Sequence, residues 1–255
     1  MRESIGVEFL ITFAHWERGT TKDQYFGDIN DYRKYGLLRV ITASSGLRLL
    51  VAWMLTPNDG STDGKFVRYI ADPSKWQDFD PVLFWQLKDL LESGSKRGVG
   101  MIARSGLLGD AGYFSEMVPD QRRGREQWFR SLQAEAAAYD LVFLDPDNGL
   151  EVKSTPLGKR NSAKFLYWPE VEGLWASGKS LLIYQHFIRE NRQKFVQRMM
   201  QSLASHTPGS VVTAFATPHV AFLMALQPEH QRYQAKVIES IQEGWSGQID
   251  HWDQT

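Results

Sequence analysis

The fold is decided by the stretch Tyr139-Asp-Leu-Val-Phe-Leu-Asp-Pro-Asp-Asn-Gly-Leu-Glu-Val-Lys153. Its apolar run, Leu141 to Leu144, has the length and composition of a strand that is buried on both faces of a sheet. The run stops at Asp145-Pro146, because proline cannot continue a central ladder, and Asn148-Gly149 favours a turn. Ligands of open α/β sheets bind at the edge where such strands end. The stretch therefore predicts an active-site edge that carries two carboxylates and a carboxamide.

The composition is that of a globular protein without a strong charge bias. A chain of 255 residues can enclose one sizeable core, and its 29 basic and 30 acidic residues nearly cancel, which leaves only a local basic face for nucleic acid. Cysteine is absent, which excludes disulfides, zinc–thiolate sites and cysteine nucleophiles. We find neither a secretory-signal pattern nor an apolar stretch of membrane-spanning length. We therefore expect a cytoplasmic protein with no membrane partner.

Segments typical of strands alternate with segments typical of amphipathic helices along the chain. Besides Leu141 to Leu144, the segments predicted as strands are Leu47 to Leu55, Val67 to Ile70, Val99 to Ala103, Ser180 to Phe187, Val211 to Phe215 and Val220 to Leu226. The last two flank a tight connection, which predicts an antiparallel hairpin. The pattern predicts one α/β domain over residues 25–255, with a doubly wound, mostly parallel Rossmann-like sheet and a C-terminal hairpin. Residues 1–24 form an N-terminal extension in this interpretation.

Two polar loops are candidates for the same sheet edge. The first, Gly27-Asp-Ile-Asn-Asp-Tyr-Arg-Lys34, contains good N-cap residues, so one interpretation is simply a capped helix. The other interpretation is a loop that delivers Lys34 to the edge that carries Asp145. The second loop follows Leu55 and contains Asn58 between turn-forming residues. The candidate binding residues in these loops are Gly27, Asp28, Asn30, Lys34 and Asn58.

The strand ends also suggest a chemistry. Asp145 can accept one N–H of an exocyclic amine, and a neighbouring backbone carbonyl can accept the other, which raises electron density on a nitrogen that attacks an electrophile. His186 ends another buried strand and is either a base or a structural residue at the end of the strand. Asp147 and Asn148 complete the set of candidate catalytic residues.

Two motifs resemble those of known enzymes. Asp145-Pro146-Asp147-Asn148 after Leu-Val-Phe-Leu resembles the Asp/Asn-Pro-Pro-Tyr/Phe motif of S-adenosylmethionine-dependent amino-methyltransferases. The segment from Gly27 to Gly36 is similar to the opening of small ribosomal-RNA adenine methyltransferases. Asp147 replaces the second proline and Asn148 the aromatic residue, and no Gly-x-Gly follows Leu55.

The resemblance implies a methyltransferase-like fold, S-adenosylmethionine as cofactor and a nucleic-acid amino group as substrate. It places Asp145 on the target amine, with Asp147 and Asn148 shaping the pocket. The turn from Gly27 to Lys34 would line the donor site, and no metal ion is implied. Phosphates would meet basic residues of the helices, namely Arg122, Arg123, Arg125, Arg189 and Arg192.

Two alternatives stay open. Pro146-Asp147 with Glu151-Val-Lys153 matches the letters of the PD-(D/E)xK nuclease signature, in which carboxylates hold Mg²⁺ and the lysine activates water. The spacing is short, because the two halves of that signature normally lie on successive strands of a hairpin. The other alternative is a catalytically inactive Rossmann-like domain that binds a nucleotide or a partner.

Overall fold

The computed structural model describes residues 27–57, 66–94 and 98–253, and a seven-stranded sheet runs through them. Its strands are β1 (Leu49–Ala52), β2 (Gly112–Phe114), β3 (Leu141–Leu144), β6 (Ser180–His186), β7 (Val211–Ala216), β8 (Val220–Leu226) and β9 (Asp250–Asp253). The spatial order is β2-β1-β3-β6-β8-β7-β9. A separate pair of short parallel strands, β4 (Gly149–Leu150) and β5 (Phe165–Leu166), follows the end of β3.

The sheet has a parallel half and an antiparallel half. Strands β2, β1, β3 and β6 are parallel neighbours. Strand β8 is antiparallel to both β6 and β7, and β9 is antiparallel to β7. The predicted C-terminal hairpin is therefore confirmed as β7 and β8, and β8 is inserted between β6 and β7 with reversed direction.

Helices cover both faces of the sheet. They are α1 (Ile29–Ser45), α2 (Pro73–Trp76), α3 (Pro81–Glu92), α4 (Gly100–Ser105), α5 (Arg122–Ala136), α6 (Trp168–Ala176), α7 (Arg192–His206) and α8 (Gln234–Trp245). One apolar cluster joins α1, α3, α4 and α8 to one face, and a second joins α5, α6 and α7 to the other. Successive residues of β1 alternate between the clusters, so the central strands are buried on both sides. Within residues 27–57, 66–94 and 98–253, no helix combines the length and apolarity that crossing a membrane requires.

Helix α1 is fixed at both ends and at its middle. Asp28 caps its start, and Gly46 ends it in the left-handed conformation at φ 70°. In between, Gly36 lies so close to α8 that an added Cβ atom would be 2.0 Å from Trp245. This close approach holds the first and last helices together and sets the position of Lys34 on α1.

Two predicted strands are wrong. Val67 to Ile70 lies mostly in a 3-10 turn, Arg68–Ala71, and Val99 to Ala103 lies mostly in helix α4. Both segments are too short for apolar spacing to distinguish a strand from a helical turn. The sequence also gave no sign of β2 or β9, which are edge strands of three and four residues. The predicted extension, residues 1–24, lies outside the described residues.

Candidate active site at the carboxyl ends of the parallel strands

The strand order changes direction between β1 and β3. From β1 the chain moves outward to β2, and it then returns to form β3 on the other side of β1. The loops that leave β1 and β3 therefore diverge and leave a crevice at the carboxyl edge, which is where open α/β sheets bind ligands. Across this crevice, the Thr56 hydroxyl donates a 2.7 Å hydrogen bond to Oδ2 of Asp147.

A buried ion-pair cluster lies beside this crevice. Nζ of Lys34 is 2.8 Å from Oδ2 of Asp145 and 3.1 Å from Oδ1 of Asp31. The ammonium also lies 5.0 Å from the ring centroid of Tyr184 and 5.7 Å from that of Trp53, within cation–π range. These distances confirm the prediction that the Gly27–Lys34 turn faces the Asp145 corner.

The turn before α1 caps the helix and also borders the ion-pair cluster. Oδ1 of Asp28 accepts hydrogen bonds from the backbone N–H groups of Asn30 and Asp31, at 2.8 and 2.9 Å. The N–H of Gly27 donates to Oδ2 of Asp31 at 2.9 Å. Gly27 has φ 81°, and an added Cβ would lie 2.7 Å from Leu91, so the position requires glycine. Oδ1 of Asn30 is buried and has no hydrogen-bond partner among the described residues.

Burial makes the carboxyl groups of the cluster harder to ionise. Desolvation raises the pKa of Asp145 from 3.8 to about 6, although the Lys34 ammonium opposes this. Desolvation and the neighbouring Asp31 likewise raise the pKa of Asp28 to about 6. For Lys34, burial favours the neutral amine, but Asp145 and Asp31 outweigh it and raise its pKa above the ordinary value. Three carboxyl groups thus lie near one ammonium.

Gln185, which was expected with His186 at this edge of the sheet, shapes the corner that follows β3, although nothing in the sequence assigned it this specific role. Its Oε1 accepts the backbone N–H of Leu150 at 2.8 Å, and its Nε2 donates to the carbonyl of His186 at 2.9 Å. Gly149 lies against this side chain at φ 104°, where an added Cβ would be 2.5 Å from the amide. The available signal was a polar residue that interrupts a buried apolar strand. Asn148, beside this corner, is exposed.

His186 lies at the rim of the site. Its side chain is exposed, and its ring meets the Tyr184 ring edge-on at 5.1 Å. Tyr184 therefore contacts both His186 and Lys34, which places the imidazole one aromatic ring away from the buried cluster. Asn58, the remaining predicted binding residue, lies outside the described residues.

The residues of the nuclease signature have separate partners. Asp147 accepts the Thr56 hydroxyl, Glu151 accepts the backbone N–H of Trp168 at 3.2 Å, and Lys153 is exposed. Glu151 follows β4, which pairs in parallel with β5 rather than in a hairpin with β3. In the described part of the chain, no three His, Asp or Glu side chains are grouped so that they could hold a metal ion.

The basic residues of the helices lie at the same edge, with two corrections. Helices α5 and α7 both begin on the side where β2 and β6 end, and four of the five arginines are exposed there. Arg122, Arg123 and Arg192 belong to the helices, but Arg189, which was predicted in a helix, lies in the loop before α7. The prediction that Arg125 meets phosphates is wrong. Its guanidinium is 1% exposed and binds both carboxylate oxygens of Glu170, at 2.6 and 2.8 Å. The side chain therefore fastens α5 to α6.

No protein-family model matches the chain, and no curated protein is significantly similar to it in sequence.

Proposed function

We propose that the chain is an S-adenosylmethionine-dependent methyltransferase with a doubly wound, Rossmann-like fold, and that it acts on an exocyclic amino group of nucleic acid. One observation carries this proposal. Asp145-Pro146 ends the strand beside the change in strand order, and the Asp145 carboxylate faces the start of α1 through Lys34 at 2.8 Å. This is the arrangement that the two sequence motifs require, since both must line one crevice.

The strand order supports the proposed fold. Parallel strands with helices on both faces and a change of direction between β1 and β3 are the features of nucleotide-binding open sheets. The reversed β8 between β6 and β7 agrees with the closing hairpin that the methyltransferase resemblance implies.

The charge of the cluster favours a cationic ligand. Asp31 and Asp145 contact the ammonium and Asp28 lies near it, and the pKa values of Asp28 and Asp145 are raised by burial first and by neighbouring carboxylates second. A second positive charge would stabilise the ionised carboxylates. The sulfonium of S-adenosylmethionine provides such a charge, and the faces of Trp53 and Tyr184 suit a cation of this kind.

Asp145 then handles the target amine. S-adenosylmethionine supplies an electrophilic methyl group when it is bound. The Asp145 carboxylate accepts an N–H of the target amine, which orients the nitrogen lone pair, and it takes up the proton that the nitrogen loses after transfer. A pKa of about 6 suits this role near neutral pH, because the group is ionised before the reaction and able to hold a proton afterwards. Lys34 already donates one such hydrogen bond, so the second carboxylate oxygen is the one that the substrate would use.

Calorimetry with S-adenosylmethionine and its demethylated product tests the donor site. We expect saturable heat with the wild-type protein. Asp145→Asn should keep donor binding but reduce transfer of a labelled methyl group to RNA or DNA by about 100-fold or more, the usual contribution of a positioned base. Asp140→Asn is the matched control, because Asp140 lies directly before β3 at its opposite end and pairs with Arg48 at 2.8 Å. Folded wild-type protein that gives no heat at millimolar ligand would refute the proposal.

The same samples separate the two alternatives. Incubation with plasmid DNA and RNA in Mg²⁺ or Mn²⁺ should leave the nucleic acid intact. Cleavage that disappears in Asp147→Ala would replace our proposal with the nuclease. Nucleotide binding without methyl transfer by any variant would instead indicate the inactive binding domain.

A further inference from the structure

Arg33 is a buried cation for which the described part of the chain provides no carboxylate partner. Its side chain lies at the carboxyl edge on α1, next to Lys34, and the residue is 6% exposed. Its Nε and Nη2 share one neutral acceptor, Oε1 of Gln248, at 3.1 and 2.7 Å. Its Nη1 is buried and has no hydrogen-bond partner among the described residues. A buried guanidinium in this state is costly unless an anion compensates it.

Arg125, another buried arginine, has a carboxylate that compensates its positive charge. Nη1 of Arg125 also lacks a hydrogen-bond partner among the described residues, but both oxygens of Glu170 lie within 2.8 Å of the Arg125 guanidinium. Arg33 instead lies over the ring of Trp76, with 5.6 Å between Cζ and the ring centroid. Burial lowers the pKa of Arg33, and Asp28 offsets this only in part. Among the described residues, Arg33 therefore has no counterpart to Glu170.

Arg33 is connected to the turn between β7 and β8 through Gln248, which lies two residues before Asp250, the strand partner of Ala216 at the end of β7. His219 is exposed in the turn between β7 and β8, and Nη2 of Arg192 donates to the carbonyl of Pro218 in the same turn at 2.6 Å. Partial burial and the charges of Arg33 and Arg192 lower the pKa of His219. The charged and titratable groups around this turn are Arg33 from α1, Arg192 from α7, His186, whose strand partner is Val220, and Asp250, whose strand partner is Ala216.

We propose that Arg33, His219 and Arg192 form a binding site for a phosphate group, at the same edge of the sheet as Asp145. Guanidinium groups are suited to phosphate because their fork of N–H donors matches its oxygens. A phosphate brings the anion that Arg33 lacks among the described residues and removes the repulsion at His219. This inference rests on the proposed function. It adds that the site binds a phosphate of the substrate while Asp145 accepts an N–H of the target amine. The phosphate belongs either to a free nucleotide or to a polynucleotide backbone.

Nuclear magnetic resonance of the histidine side chains tests the site without any methyl donor. The His219 signal, identified by its loss in His219→Gln, is followed over pH in sodium chloride and in three phosphate probes at equal ionic strength. The probes are inorganic phosphate, a nucleoside 5′-monophosphate and a short single-stranded oligonucleotide. We expect phosphate to raise the pKa of His219 by about half a unit or more, since it replaces repulsion with attraction. The probe that saturates at the lowest concentration identifies the source of the phosphate.

Two exposed arginines of α7 provide the comparison. Arg192→Gln should raise the pKa of His219 in chloride and weaken phosphate binding by about tenfold, the usual value of a charge-assisted contact. Arg198→Gln should change neither quantity, because Arg198 pairs with Glu190 at 2.7 Å. No shift with any phosphate probe, or an equal shift in Arg192→Gln, would overturn the inference. Phosphate binding without S-adenosylmethionine binding would keep the inference and refute the proposed function, and the reverse result would do the opposite.

Discussion

Replacing Asp145 with asparagine should flatten the pH dependence of stability. The variant keeps an oxygen that can accept the Lys34 hydrogen bond but loses the titrating carboxyl. Burial raises the pKa of Asp145 from 3.8 to about 6, so the folded protein holds this proton more tightly than the unfolded chain does. The free energy of unfolding that this proton contributes is therefore fully present below about pH 3.8 and is lost as the pH rises through about 6.

The size of the effect follows from proton linkage. One proton that is bound by the folded state alone changes the free energy of unfolding by about 1.4 kcal/mol per pH unit. In the folded protein Asp145 is mostly protonated below its pKa of about 6 and mostly ionised above it. Between pH 5 and pH 7 it should therefore lower the free energy of unfolding by about 1 kcal/mol. Urea denaturation followed by tryptophan fluorescence at pH 5, 6 and 7 measures the difference in slope between the wild type and Asp145→Asn.

Asp140→Asn is the control for this measurement. The hydrogen bond from Arg48 lowers the pKa of Asp140 to about 2, so the stability it contributes is present above pH 3.8 and is lost only as the pH falls toward 2. This variant should keep the wild-type slope between pH 5 and pH 7. Parallel slopes for Asp145→Asn and Asp140→Asn would show that Asp145 does not titrate in this range, and its assignment as a base would fail.

Matched substitutions test the packing and charge arguments. Arg125→Met should lower the free energy of unfolding by about 3–5 kcal/mol, because Glu170 stays buried without its partner. Arg33→Met should cost less than about 2 kcal/mol, since only the neutral Gln248 loses its two hydrogen bonds from Arg33. A loss in urea denaturation as large as that for Arg125→Met would contradict the contrast between the two arginines. Gly36→Ala should cost about 2–3 kcal/mol through overlap with Trp245, whereas Gly244→Ala meets open space and should stabilise by a few tenths to about 1 kcal/mol. Equal shifts of the melting temperature for the two glycine variants would refute the close contact between α1 and α8.

The part of the site that depends on strand ends was predictable from the sequence. Leu141 to Leu144 is an apolar run that Asp145-Pro146 must terminate, and the run is β3 in the structure. The order of segments then implied that the turn before α1 reaches the same edge, because helices and strands alternate along the chain. The ion pair between Lys34 and Asp145 has the geometry that this reasoning expected.

Pairings between distant residues could not be predicted in the same way. Arg125 was assigned to an exposed basic face because nothing near it in sequence showed that Glu170, 45 positions away, would neutralise it. For Gln185, only its polar character within an apolar strand was visible in the sequence, because its hydrogen-bond partner Leu150 is 35 positions distant. Short elements were predicted wrongly for another reason. Helix α4, for example, has only six residues, which is less than two turns. Burial of its Met101 and Ile102 is compatible with either type of element.

The contact of Gly36 with Trp245 has a consequence for biosynthesis. Lys34 is made early, but the helix that carries it packs against an indole that leaves the ribosome more than two hundred residues later. Because contacts between distant segments form only after both have been translated, α1 cannot complete its packing on a nascent chain that ends before α8. A fragment that is truncated before α8 would therefore lack the indole against which α1 packs.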